Sequence, residues 1–231
     1  MKTKKIPTKY QPKGFEILYD DDYVIVGNKA AGLLTVGALY ERERTVHHLL
    51  NQYVRKGNSR SHKRVSVVHR LDRETSGLLV FTKSEEARTF LKENWKSAEK
   101  EYFAVVHGRM SKVSGMIESY LTEDEDYVVH SRADSREGRL SQTMYTVVKQ
   151  VEKMALLKVD LLTGRKNQIR VHLAGEGHPI VGDDKYGKPD RRQPKLLLHA
   201  RRLAFTHPHT KARMVFEAPV PPYFHALVGH F

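Results

Sequence analysis

Short apolar runs broken by charge recur from residue 15 to residue 217, and this pattern most restricts what the chain can fold into. In "MALLKVDLL", Leu157, Val159 and Leu161 alternate with Lys158 and Asp160. That period of two belongs to a strand with one buried face. The preceding "QTMYTVVKQ" reads as its antiparallel partner, joined near Glu152 and Lys153. "FEILYDDDYVIVGNK" (Phe15–Lys29) reads as two strands around an acidic turn, Asp20–Asp22, with "AAGLL" as the turn that follows. "RVSVVH", "SGLLVFTK", "EYFAVVHG", "LLLHARRLAF" and "RMVFEAP" complete the strand candidates. Helical spacing is rarer. Thr45–Lys56 places Val46, Leu49, Leu50 and Val54 at helix intervals. Ser84–Trp95 has a capping serine, Glu85 and Glu86 in its first turn, and a face of Ala87, Phe90, Leu91 and Trp95. "NQIRVHLAGEG" predicts a short helix with Ile169 and Leu173 on one side and Gly175 at its end. Many strands with few helices predict an α+β fold, a mixed, mostly antiparallel β-sheet core with flanking helices.

The 231 residues suit one large domain, with no internal repeat and no evident linker. Residues 1–14 read as a basic arm and residues 15–231 as the main domain. No apolar run is long enough to span a bilayer. "MKTKKIPTKYQPKG" lacks the apolar stretch of a secretory signal. Without cysteine there is neither a disulfide nor a thiolate metal site. A cytoplasmic protein is expected. Forty Lys and Arg against 27 Asp and Glu give a formal charge of +13, which points to a polyanionic partner, RNA or DNA. Charge alone separates neither RNA from DNA nor an enzyme from a passive binder.

Several motifs fail. "GDDKYGKP" (Gly182–Pro189) approaches a phosphate-binding loop, but Pro189 stands where Ser or Thr would hold magnesium. Asp183 and Asp184 would also repel phosphate. Thirteen histidines invite a metal reading, yet His47–His48 and His207–His209 lack carboxylates at ligand spacing. A metal-dependent nuclease is therefore disfavoured, and no metal is expected.

The stretch Val67–Lys83, "VVHRLDRETSGLLVFTK", sets a charged cluster between two apolar runs. Asp72 lies between Arg70 and Arg73. A partly enclosed carboxylate needs a partner, and an arginine would keep it ionised. An ionised, positioned carboxylate can act as nucleophile, base or electrostatic stabiliser. It can equally belong to a solvated turn, paired with Arg70 or Arg73. The stretch by itself leaves both readings open. Residues 57–63, "GNSRSHK", likewise read as an RNA-contacting loop or an exposed linker.

His69-Arg70-Leu71-Asp72 followed by Thr75-Ser76-Gly77 resembles the signature of the RluA-type RNA pseudouridine synthases. Further segments match in order. "ILYDDDYVIVGNKAAGLL" is similar to the family's opening strands, and "KEYFAVVHG" carries its K-x-Y element. "TGRKNQIRVHLAGEGHPIVGDDKYG" is similar to G-R-x-x-Q-I-R-x-H and the G-D-x-x-Y-G after it, and "LLLHARRLAFTHP" to a late L-H-A element. The resemblance covers about residues 15–220. Two departures stand out. Ala30 replaces the proline of N-K-P-x-G, which predicts a looser turn. Asn167 replaces a common histidine before Q-I-R. Only about fourteen residues precede the matched region, so the S4-type RNA-binding domain of many members is expected to be absent.

The resemblance implies conversion of uridine to pseudouridine in large-subunit ribosomal RNA and/or transfer RNA, with recognition of a compact stem–loop. This isomerisation needs no redox cofactor and no ATP, so no cofactor is expected, and a monomer is. The resemblance makes Asp72 the catalytic carboxylate and Arg170 its counter-ion, while Tyr102 stacks on uracil and assists proton movement. Ile169 would pack beneath the base. Arg70 would fill or steer the position vacated when the uridine leaves its stack. Lys100, Arg165 and Gln168 are candidate RNA contacts. Bland roles stand beside each: Tyr102 and Ile169 as core, Arg70 in a local ion pair, the rest at a solvated surface. A non-catalytic RNA-binding protein on the same scaffold is the alternative, and the presence of Asp72 weighs against it.

Overall fold

A computed structural model of the protein describes residues 6–38, 40–58, 60–132, 134, 138–189, 193 and 195–231. The start of the basic arm, and positions 39, 59, 133, 135–137, 190–192 and 194, lie outside the described residues. The chain forms two compact units. One comprises Met1–Ala98 and Arg202–Ala218, the other Glu99–Arg201 and Pro219–Phe231.

In the first unit, β1 (Phe15–Asp20) pairs antiparallel with β2 (Val24–Lys29) around the acidic turn. β2 pairs antiparallel with β4 (Ser76–Thr82), from Val24 opposite Thr82 to Lys29 opposite Gly77. All seven residues of β4 are buried, which explains an apolar run in place of alternation. Arg202 to Thr206 of β10 (Leu198–Thr206) pair with β11 (Arg213–Glu217). Tyr19, Val24, Val26, Leu78, Val80, Leu91, Leu203 and Phe205 share one core cluster.

α1 (Val46–Arg55) buries Val46, Leu50 and Val54 of the four residues at the expected spacing, leaves Leu49 half-buried, and ends on Lys56 in the left-handed region. α2 (Glu85–Glu93) is capped by Ser84, whose side chain accepts from the Ala87 N–H. It stops short of Trp95, which opens a 3-10 turn and lies against His69 with ring centroids 4.5 Å apart. The strand expected over "RVSVVH" shrinks to β3 (Ser66–Val67) on β4. Its ladder ends because the next backbone donor on β4, Val80 N–H, is taken by His69 Nε2 at 3.2 Å.

The second unit is an antiparallel set in the order β5 (Glu99–His107), β9 (Met154–Leu161), β8 (Arg139–Val151), β6 (Ser114–Glu123), β7 (Val129–Arg132). The predicted β8–β9 hairpin turns at Glu152, where φ is 34°. β6, β7 and a C-terminal helix α4 (Pro222–Val228) were not legible from periodicity. β6 carries Met116 facing solvent and Glu118 and Tyr120 among few buried positions, so its apolar signal is weak. α3 (Gln168–Gly175) follows Asn167. No described helix is long and apolar enough to cross a membrane. The α+β class with a mostly antiparallel sheet is the observed architecture.

Thr45 caps α1 by accepting from His48 N–H at 3.0 Å, and only 1% of it is exposed. Thr45→Ala should lower the free energy of unfolding by about 1 kcal/mol, read from urea denaturation.

Candidate active site

The residues singled out in the sequence fall into two groups. Arg70 and Asp72 belong to the first unit. Lys100, Tyr102, Arg165, Gln168, Ile169 and Arg170 belong to the second.

In the first unit the chain around Asp72 is clasped from several sides. Leu71 is buried, and the buried Thr35 hydroxyl accepts from Leu71 N–H (3.1 Å) while donating to Leu71 C=O (2.8 Å). One residue beyond, Asp72 C=O accepts from Thr75 N–H at 3.2 Å. Arg73 C=O accepts from Gly32 N–H (2.8 Å) and from Lys29 Nζ (2.9 Å). Gly77 then enters β4 at φ 115°, a conformation that glycine adopts without strain. Asp72 is half-buried and Arg70 exposed. Arg73 reaches Glu74 at 3.6 Å and the Gly32 carbonyl at 3.3 Å.

Lys29 was not singled out in the sequence, yet its side chain is wholly buried. Its ammonium donates to the carbonyls of Ala30 (3.0 Å), Leu33 (2.8 Å) and Arg73 (2.9 Å), one oxygen for each proton of the charged form. Burial draws its pKa down from 10.5 to about 7, and the charges of Glu74 and Asp72 oppose that fall. The looser turn expected at Ala30 is corrected. Ala30 N–H donates to Gly14 C=O at 2.9 Å, a bond proline could not make. Its position beside alanine in "NKAAG" gave no sign that this lysine is internal.

In the second unit, β5 carries Lys100 and Tyr102. Tyr102 is 8% exposed and lies opposite Val159 on β9. Burial lowers the pKa of Lys100. Arg165 is exposed. Gln168 is 2% exposed, and both ends of its amide are engaged. Its oxygen accepts from Thr163 Oγ1 (2.9 Å) and Arg165 N–H (3.0 Å), and its nitrogen donates to Gln142 C=O and Thr143 Oγ1, both at 3.0 Å. This places Gln168 as a clamp on the turn before α3, with its amide turned away from solvent. Ile169 is buried at 3% exposure.

Every residue from Gln168 to Leu173 of α3 is buried, so these six positions have no solvent face and the apolar period is masked; only Ala174 and Gly175, at the end, reach solvent. Asn167 precedes it at φ 53°, a region asparagine tolerates better than most residues. Arg170 is held in a bidentate pair by Asp183, Nε to Oδ2 at 2.8 Å and Nη2 to Oδ1 at 2.7 Å. Asp183 has no exposed side-chain surface and also accepts from Lys185 and Tyr186 N–H at 3.0 Å each. The Arg170 guanidinium lies 5.3 Å from the centre of the Tyr186 ring. Removing one partner of such a pair strands a buried charge, at a cost of about 3–5 kcal/mol. Gly182, at φ 77°, lets the Lys195 carbonyl lie where a side-chain carbon would be only 2.0 Å from it. Gly182, Asp183 and Tyr186 are the G, D and Y of the G-D-x-x-Y-G segment, the signal that could have marked them as supports for Arg170.

His172 lies between Thr143 Oγ1 (2.9 Å from Nδ1) and Ser119 Oγ (3.1 Å from Nε2). Burial pushes its pKa down from 6.5 to about 4. Between those values the unfolded chain binds a proton that the folded one refuses, so stability falls as pH falls. Urea denaturation from pH 7 to pH 4 should show a loss on the order of 3 kcal/mol assignable to this residue. His172→Gln should flatten that slope, whatever its stability at pH 7. An unchanged slope would mean that other groups carry the acid sensitivity.

Residues 23–175 match the family model described as RNA pseudouridylate synthase. The dual-specificity RNA pseudouridine synthase RluA of Vibrio cholerae is 36% identical over 210 residues, 88% of this chain and 83% of that protein. The RluA of Escherichia coli K12 is 36% identical over 209 residues, 88% of this chain and 92% of its own. The uncharacterized RNA pseudouridine synthase YjbO of Bacillus subtilis is 32% identical over 214 residues, 91% of this chain and 74% of its own. Among solved structures, human RNA pseudouridylate synthase domain containing 4 superposes with a TM-score of 0.75 at 24% identity, covering 94% of this chain and 92% of that one, a likeness of fold. Matched over most of its length, this chain belongs to the RluA-type RNA pseudouridine synthases, isomerases that act on RNA.

Proposed function

We propose that the protein isomerises specific uridines to pseudouridine in ribosomal and/or transfer RNA stem–loops, with Asp72 as the catalytic carboxylate. The observation that carries this reading is the H-R-L-D turn itself. A half-buried aspartate is held by backbone bonds to Thr35, Thr75, Gly32 and Lys29 on either side of it. Such anchoring fixes the backbone from which the carboxylate projects. The RluA relatives are named dual-specificity enzymes, which favours more than one RNA substrate.

In the reaction the bond from uracil N1 to ribose C1′ breaks, the base turns, C5 bonds to C1′, the C5 proton leaves to solvent, and N1 takes up a proton in its place. Atoms and oxidation states balance without a co-reactant. Asp72 acts on the nucleoside. Tyr102 stacks on the uracil and assists the proton transfer. Arg170 serves as counter-ion to the catalytic carboxylate, with Asp183 fixing the plane of its guanidinium. Arg70, Lys100 and Arg165 bind RNA. Ile169 packs beneath the base, and Gln168 acts indirectly, by holding the turn before α3. The protein acts as a monomer in the cytoplasm.

Uridine tritiated at C5 tests the scheme, because pseudouridine formation releases the label. Wild type should release tritium from transfer RNA or ribosomal RNA transcripts, and Asp72→Asn should fall to background while still binding RNA. Failure of wild type on every cellular RNA pool would sink the activity, and undiminished release by Asp72→Asn would sink its assigned role. Arg170→Ala should lower turnover more than RNA affinity. Equal losses in protein shown by thermal denaturation to be folded would make Arg170 a phosphate contact instead.

A further inference from the structure

Between Glu43 and Asp72 lie 28 residues with seven Lys or Arg and no Asp or Glu. Four of those cations, Lys56, Arg60, Lys63 and Arg64, fall within nine positions just after α1, and all four are exposed. None of them has a carboxylate within ion-pair distance among the described residues. The nearest carboxylate of the acidic turn, Asp20, is already matched. Asp20 accepts from Tyr53 Oη at 2.8 Å and is paired with Lys83. Like charges gathered without counter-charge repel one another, which disfavours the folded state unless an anion arrives from outside.

The segment is also built. Lys56 (φ 48°) and Gly57 (φ 77°) reverse the chain at the end of α1. Asn58 N–H donates to Arg55 C=O at 2.9 Å, Arg60 N–H to Asn58 Oδ1 at 3.0 Å, and Ser61 N–H to Asn58 C=O at 3.1 Å. Lys63 N–H donates to Ser61 Oγ at 3.3 Å. The segment returns to α1 at Val65, whose N–H donates to Asn51 Oδ1 (3.0 Å) and whose carbonyl meets His47 Nε2 (3.1 Å). Side chains on such a frame lose less freedom on binding than those of a loose linker. From Arg64 the chain reaches Asp72 in eight residues, at most about 29 Å even if fully extended.

We propose that Lys56, Arg60, Lys63 and Arg64 form a phosphate-binding face that grips the RNA backbone beside the target uridine. This rests on the RNA-modifying function proposed above and adds to it a sequence-independent grip separate from the catalytic turn. Backbone contacts of this kind release counter-ions and carry no base specificity.

The test compares two variants with equal loss of charge. One replaces Lys56, Arg60, Lys63 and Arg64 with Gln. The other replaces Lys92, Lys96, Lys112 and Lys153, exposed cations elsewhere, with Gln. Fluorescence anisotropy of labelled transfer RNA and of a ribosomal stem–loop transcript is followed against salt. The first variant should weaken binding by about tenfold or more at low salt and shallow the slope of log K against log salt by about 3. The control should keep the wild-type slope. A wild-type slope in the first variant, or an equal loss in the control, overturns the proposal. Since anisotropy needs no turnover, this outcome is separable from failure of the tritium assay, and thermal denaturation confirms that both variants are folded.

Discussion

A lysine taken wholly out of water must surround its ammonium with oxygen, and the first unit is arranged around how Lys29 does so. Its three carbonyl partners come from its own neighbour Ala30, from Leu33, and from Arg73 forty-four residues away. The last of these couples the end of β2 to the turn that holds Asp72. Hydrophobic packing fills a core but does not specify where a polar turn must sit. A buried cation does, because any displacement of the Arg73 carbonyl leaves an ammonium proton unsatisfied. Thr35 works the same way on Leu71, using one hydroxyl as donor and acceptor to both backbone groups of a single residue.

The second unit solves an equivalent problem with the opposite sign of support. There the charged group of interest is the cation Arg170, and the buried counter-charge is Asp183, itself fastened by two backbone N–H groups. In both units a charged side chain is fixed through main-chain atoms and not through mobile surface partners. Acid sensitivity follows from this mode of construction too. Neutral His172 sits between two hydroxyls that hold it well without charge, so protonation adds only a burial cost.

Much of the fold was legible where burial differs from one face to the other. The alternation in β9, the stripe of α1 and the capped start of α2 all read directly, because one side of each meets water. The signal failed where that asymmetry blurs: β6 exposes Met116 while bearing Glu118 and Tyr120. β4 and α3, mostly buried, were still read, one from its continuous apolar run and the other from Ile169, Leu173 and the closing Gly175. β3 stopped early because a side chain, His69, took a ladder bond that no propensity foresees. For the site, Asp72, Tyr102 and Arg170 were named from the residues that carry the family resemblance. Lys29, Thr35 and Asp183 were not, since their importance lies in which distant backbone or side chain they meet. Gln168 showed the converse error, a polar residue expected at the surface that spends all its hydrogen bonds inside.

The enclosure of Gln168 to Leu173 in α3 has a consequence for how this protein can change over generations. On α2, the exposed positions Glu85, Glu86 and Lys92 can drift without disturbing anything beneath them. Six consecutive positions of α3 offer no such freedom, because all six are buried. A substitution there disturbs packed neighbours whatever its bearing on RNA, so these positions tolerate change less well than the exposed ones of α2.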